Sequence, residues 1–207
     1  MNRLAPASLQ LMVIVSGTAK DPPESEPVVA AIRGGITLVQ VRIKNAGANA
    51  VIDAASRLLP VCRAAGLPLL INDRPDLALV VGADGAHVGP DDPPPGEARA
   101  LLGSLGLGVS VRTEPRLRAA EEADADYVGV GALRVSPTKP DTTVIGFEGI
   151  SALVRLAVLP VVAVGGIQLE DLPRLKKIGA AGVAVSRGIL EAPDPEQAAR
   201  AYRDGWG

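Results

Sequence analysis

Aromatic side chains are nearly missing from this 207-residue chain: Tyr127, Phe147, Tyr202 and Trp206 make up 2 % of it. With so few stacking platforms, a single-stranded nucleic acid partner is not expected. The net charge of -2 also argues against binding along a phosphate backbone. One cysteine, Cys62, excludes an intramolecular disulfide, and with one histidine, His87, it cannot build a Cys/His zinc site. Cys62 falls in an apolar helical pattern, which predicts a buried thiol. No apolar run has the length of a transmembrane helix. Arg3, the run Leu9 to Val15 and Gly17-Thr18-Ala19 loosely mimic a signal peptide. The run is short, interrupted by Gln10, and reads equally as a first buried strand, so a cytoplasmic protein without a membrane partner is expected.

What the chain does have is hydrophobic mass, 47 % of its residues, in an alternating order. Apolar strand-like runs fall at Leu11–Ser16, Thr37–Arg42, Pro68–Ile71, Gly85–Val88, Gly106–Ser110, Tyr127–Val130, Val161–Val164 and Gly182–Val185. Helical patterns lie between them, at about 25–33, 47–64, 75–81, 94–102, 114–122, 147–156, 169–177 and 194–203. Gly34-Gly35, Gly66 and Gly179 read as helix stops, and Pro115 and Pro173 as first-turn prolines. Alternating β and α units give a parallel sheet with right-handed crossovers. Eight of them predict a (β/α)8 TIM barrel, one domain over residues 1–207, with an open flavodoxin-like or Rossmann-like sheet as the alternative.

Barrels bind ligands at the C-terminal ends of their strands, so the residues there carry the chemistry. Gln40, Arg42 and Lys44 alternate with Val39, Val41 and Ile43 and share one strand face. In a barrel that face points inward, and Arg and Lys suit a phosphate. Asn72-Asp73 and Asp92 close two neighbouring strands; their carboxylates can share a hard cation such as Mg²⁺, with phosphate oxygens and waters completing its shell. Val164-Gly165-Gly166-Ile167 and Val185-Ser186-Arg187-Gly188 follow the last two strands, where barrels bind phosphate. The loop from Gly131 to Thr142 adds Ser136, Thr138 and Lys139, and residues 134–145 are a candidate lid. Ser110 reads first as a turn or cap serine, and His87 as a packed, hydrogen-bonded histidine.

Taken in order, these stretches resemble thiamine phosphate synthases and the related thiazole tautomerases. The likeness runs through Gly35 to Lys44, Ile71-Asn72-Asp73, Gly82 to Asp92, Gly108-Val109-Ser110, Asp126 to Gly131, Ser136 to Lys139 and Gly165-Gly166-Ile167. It implies a barrel enzyme of thiamine biosynthesis: a transferase joining hydroxymethylpyrimidine diphosphate to hydroxyethylthiazole phosphate, through a carbocation formed as diphosphate leaves. By that resemblance Asp73 and Asp92 hold Mg²⁺, while Arg42, Lys44, Asn72 and Lys139 grip the diphosphate. Gln40 and Ser110 meet the pyrimidine. Ser136, Thr138, Gly165, Gly166 and the backbone at Ser186-Arg187 meet the thiazole phosphate. Departures gather on the acceptor side: Arg112 for a usual histidine, Arg134-Val135 for an aromatic or aliphatic residue and a proline, and Ser186-Arg187 for an apolar-Ser pair. A tautomerase-like isomerase and a non-catalytic phosphate binder are the competing readings. Phosphorylated small molecules are the expected partners, and a homo-oligomer is left open.

Overall fold

A computed structural model describes residues 4–135 and 142–207. Eight strands close a barrel in sequence order: β1 Leu11–Thr18, β2 Leu38–Lys44, β3 Leu69–Asn72, β4 Gly85–Val88, β5 Gly106–Val111, β6 Tyr127–Gly131, β7 Val161–Val164 and β8 Gly182–Val185. All neighbours are parallel, and β1 pairs with both β2 and β8. That closure excludes the open-sheet alternative. Seven helices alternate with the strands: α1 Glu26–Gly34, α2 Ala48–Ala64, α3 Pro75–Val81, α4 Pro95–Leu102, α5 Glu114–Glu122, α6 Gly146–Leu156 and α7 Leu172–Lys177. Beyond β8 come a one-turn helix, α8 Arg187–Leu190, and the terminal helix α9 Pro195–Trp206. The stretch 169–177, expected as one helix, opens instead as a 3₁₀ turn, Leu169–Asp171. The apolar run near the N-terminus is β1 itself, and among the described residues no helix is long and apolar enough to cross a membrane.

Strand alternation divides the core in two. Val13, Val15, Val39, Val41, Leu69, Ile71, Val109, Val128, Ala163 and Val183 face outward and pack under the helices. Met12, Leu38, Leu70, Tyr127, Val162 and Ala184 face inward with Leu4 and Leu9. Strands buried on both faces read as continuous apolar runs, as parallel sheets require. Leu4 and Leu9 precede β1 and fill the floor: a Cβ on Gly106, at the start of β5, would lie 2.9 Å from Leu4 Cγ, and one on Gly182 would lie 1.8 Å from the Leu9 carbonyl oxygen. The N-terminal ends of the strands are thus sealed, and the cavity opens at the other end.

Helix stops act as the sequence predicts. Gly35 caps α1 in the left-handed region, and Gly66 and Gly179 follow α2 and α7 with positive φ. Cys62 is fully buried in α2, and burial pushes its thiol up to about 12. α9 packs along α1, where Gly34 would place a Cβ 2.4 Å from the Glu196 carbonyl oxygen. Its N-cap is Asp194, whose carboxylate accepts the Gln197 amide at 2.9 Å, and it buries Ala199, Tyr202 and Trp206.

Candidate active site

The inward face of β2 supplies the first wall. Gln40 is buried inside the barrel, Arg42 sits above it and Lys44 at the rim, as period-two alternation predicts. Arg42 makes no hydrogen bond to a described residue; burial lowers its guanidinium from the ordinary value, opposed by the charges of Asp73 and Asp92. Lys44 is ion-paired through Nζ with Asp73 Oδ2. Asp73 and Asp92 follow β3 and β4 with their carboxylates in hydrogen-bonding reach. Burial opposes the charge on Asp73, but Lys44 and Asp92 hold its carboxyl below the usual value. Burial and the adjacent Asp73 push Asp92 up to about 6, although its Oδ2 accepts the Gly89 amide at 2.6 Å.

Deeper in the barrel, a hydrogen-bonded row crosses from β2 to β5. Gln40 Nε2 lies 3.5 Å from the Tyr127 hydroxyl, Tyr127 lies 2.9 Å from His87 Nδ1, and His87 Nε2 lies 2.9 Å from Ser110 Oγ. Ser110 is therefore not a cap serine: its hydroxyl points inward onto the histidine, and Thr113 stands at the N-cap of α5. His87 is the packed, bonded histidine expected. The row fits because β5 and β6 offer glycines: a Cβ on Gly108 would fall 2.3 Å from the Tyr127 ring and 2.5 Å from His87 Nδ1.

A cavity of about 370 Å³ brings together Gln40, Arg42, Asn72, Ser110, Gly165, Gly166, Ser186 and Arg187. A wider mouth of about 900 Å³ adjoins it, lined by Arg42, Lys44, Arg112, Ser186, Arg187 and the loop from Gly17 to Glu24. Ser186 lines the cavity and donates its hydroxyl to the Ile14 carbonyl at 2.6 Å. Ser136, Thr138 and Lys139 lie outside the described residues, as does the centre of the candidate lid.

The arginines that depart from the family pattern each have protein partners. Arg112 donates to the Gly131 carbonyl at 3.1 Å and to Thr142 Oγ1 at 2.8 Å. Arg134 forms a two-pronged pair with Asp171, at 2.5 and 2.6 Å, and donates to the Gly166 carbonyl at 3.1 Å. Arg187 pairs with Glu191 at 2.6 Å, one turn along α8 and beyond. Sequence reasoning did not single out Thr142, Asp171, Tyr202 or the Gly17–Glu24 loop. A Gln-Leu-Glu-Asp stretch at a helix start was the available signal for Asp171, which caps Gln168.

Cationic side chains and a glycine loop around one cavity at the C-terminal strand ends, with the Asp73–Asp92 pair beside Lys44 at the rim, are the features of a phosphate-handling (β/α)8 barrel enzyme. Residues 11–189 match the family model described as thiamine monophosphate synthase, and the chain belongs to that family. It is 44 % identical over 179 residues to the thiamine-phosphate synthase of Roseiflexus castenholzii, covering 86 % of this chain and 78 % of that one. It is 40 % identical over 193 residues to that of Chloroflexus aurantiacus, covering 93 % and 89 %. Among solved structures, the thiamine phosphate pyrophosphorylase from Pyrococcus furiosus superposes with a TM-score of 0.86 at 33 % identity, over 97 % of this chain and 96 % of that one. The fold and family expected from the sequence hold, and with them the transferase class.

Proposed function

We propose that the protein transfers the hydroxymethylpyrimidine group from its diphosphate to hydroxyethylthiazole phosphate, giving thiamine phosphate and diphosphate. The observation that carries this reading is the single cavity in which Arg42 and Asn72, beside the Lys44–Asp73–Asp92 cluster, share space with the Gly165-Gly166 loop. Such a cavity has room for a diphosphate at one wall and a phosphate at the other, with the two heterocycles between.

Asp73 and Asp92 are the residues that would hold Mg²⁺. Their fit rests on the donor set: two carboxylates close enough to raise Asp92 to about 6 are poised to accept a cation in place of a shared proton. Bound Mg²⁺ would offset negative charge on the departing diphosphate. Arg42, Lys44 and Lys139 add to that offset, and Asn72 donates a neutral hydrogen bond. This is the positioned electrostatics that dominates dissociative steps. Gln40 and Ser110, held by Tyr127 and His87, orient the pyrimidine so that its methylene, cationic after bond cleavage, faces the thiazole nitrogen. No protein nucleophile is needed, and the buried His87 and Tyr127 are committed to each other. The thiazole phosphate rests on Gly165, Gly166 and the backbone at Ser186-Arg187, with Ser136 and Thr138 contributing hydroxyls.

The test is a coupled assay with both substrates and Mg²⁺, run beside a Lys139→Ala variant. Thiamine phosphate formation that requires Mg²⁺ and collapses in the variant is expected. Diphosphate binding without product would exclude thiazole phosphate as the acceptor.

A further inference from the structure

From β7 into its loop, five consecutive carbonyls are captured by protein donors. Val164 and Gly165 accept the amides of Leu133 and Arg134, at 3.0 and 2.9 Å. The Gly166 oxygen accepts Arg134 Nη1 at 3.1 Å, and the Ile167 oxygen accepts the Tyr202 hydroxyl at 3.0 Å. The Gln168 oxygen accepts the Asp171 amide at 3.1 Å. The amides of Gly165, Gly166 and Ile167 donate to nothing among the described residues, and all three residues line the inner cavity. In a trans peptide the carbonyl of one residue and the amide of the next point in opposite directions. Holding the Val164, Gly165 and Gly166 oxygens therefore fixes the Gly165, Gly166 and Ile167 N–H groups on the other side of the chain, a concavity suited to an anion. Positive φ at Gly165 and Gly166, 93° and 67°, lets the chain turn this way.

We infer that Arg134 is the positioning residue for the anion cup: its amide holds the Gly165 carbonyl and its guanidinium the Gly166 carbonyl, so that the Gly166 and Ile167 amides of the same two peptides converge with that of Gly165 on the acceptor's phosphate. Asp171 aims Arg134. Its carboxylate is buried, it takes both prongs of the guanidinium, and it also accepts the Gln168 amide at 2.8 Å. Without Arg134, the Gly166 carbonyl loses its charged donor, and its peptide is free to rotate an oxygen toward the anion. This inference rests on the reading that the acceptor's phosphate occupies the cup. It gives Arg134 a role through the backbone rather than through direct contact with substrate.

The experiment follows the backbone amides of the whole protein by ¹H–¹⁵N NMR during titration with inorganic phosphate. In the native protein, saturable shifts of the Gly165, Gly166 and Ile167 amides are expected. In Arg134→Met the dissociation constant read at those amides should rise on the order of five- to tenfold, the scale of one hydrogen bond. Arg134→Lys, which keeps a donor, should recover part of the loss. In steady state Arg134→Met should raise KM for the thiazole phosphate by a similar factor and leave KM for the pyrimidine diphosphate unchanged. A purely structural role would move both constants and the melting temperature together. If the three amides respond to phosphate but the variants bind it as the native protein does, the positioning role is overturned and the cup stands. If the amides do not respond at all, the cup itself fails and the inference with it.

Discussion

Asp92 and Asp73 face each other across the ends of β4 and β3 and are driven in opposite directions: Asp73 below its ordinary 3.8, Asp92 up to about 6. For Asp92 a raised folded value means that its contribution to stability is complete below 3.8 and is lost as pH rises through about 6. For Asp73 the contribution is present above 3.8 and is lost as pH falls through its lower folded value. A Mg²⁺ ion held by this pair, as proposed above, would displace the proton on Asp92. Binding near pH 6 should therefore release roughly half a proton, and near pH 8 almost none. Calorimetry in two buffers of different ionisation enthalpy measures this directly. Proton release that does not change between these pH values would argue against the pair as the cation site.

Lys44 is ion-paired with Asp73 at the rim. It neutralises one carboxylate, and in the proposed reaction it would turn to a diphosphate oxygen. Lys44→Met should cut kcat roughly ten- to a hundredfold, from loss of about 1.5–3 kcal/mol in one charged hydrogen bond. It should also weaken the Mg²⁺-free protein little, because half-exposed pairs contribute about 0–1 kcal/mol to folding. Rate and melting temperature measured on the same preparation separate the two. An equal loss in both would make Lys44 a structural residue.

The arrangement of the candidate site was legible where one rule of geometry sufficed. Gln40, Arg42 and Lys44 share a face because strands alternate, and Asp73 and Asp92 come together because both follow adjacent strands. The eight strands were legible because a parallel sheet makes each a continuous apolar run. The arginines were not: Arg134 finds Asp171 across 37 residues and Arg112 finds Thr142 across 30. Their meaning depends on which loops the closed barrel sets side by side, and no local pattern encodes that. Nor could periodicity reveal α8, which has four residues and barely one turn.

Gly108 shows how the interior row constrains the sequence. An added methyl would sit 2.3 Å from Tyr127 and 2.5 Å from His87, both rings being locked inside the barrel. Gly108→Ala should destabilise by about 1–3 kcal/mol, the usual scale of overpacking, and should lower activity by displacing Ser110's partner. Gly96→Ala, in α4 with open space around it, is the control and should be neutral or stabilising by up to about 1 kcal/mol. Urea denaturation of the two variants tests the contrast. A Gly108→Ala protein as stable as the native one would mean that His87 and Tyr127 can move aside.

Arg112 touches both flanks of the segment that carries Ser136, Thr138 and Lys139: the Gly131 carbonyl before it and the Thr142 hydroxyl after it. Two roles are open to a guanidinium so placed. It can bind the acceptor directly, since it lines both cavities, or it can act through Thr142 by tying the flanks together. A double-mutant cycle decides between them. If Arg112 works through Thr142, then Arg112→Gln and Thr142→Val should each lower kcat/KM about five- to tenfold. The double variant should then be no worse than Arg112→Gln alone, because the second change removes a bond already lost. If Arg112 binds the acceptor itself, the two losses should multiply and KM for the thiazole phosphate should carry the effect of Arg112→Gln. The geometry favours the first outcome: two hydrogen bonds to protein, at 3.1 and 2.8 Å, already engage the guanidinium at Nε and at one terminal nitrogen.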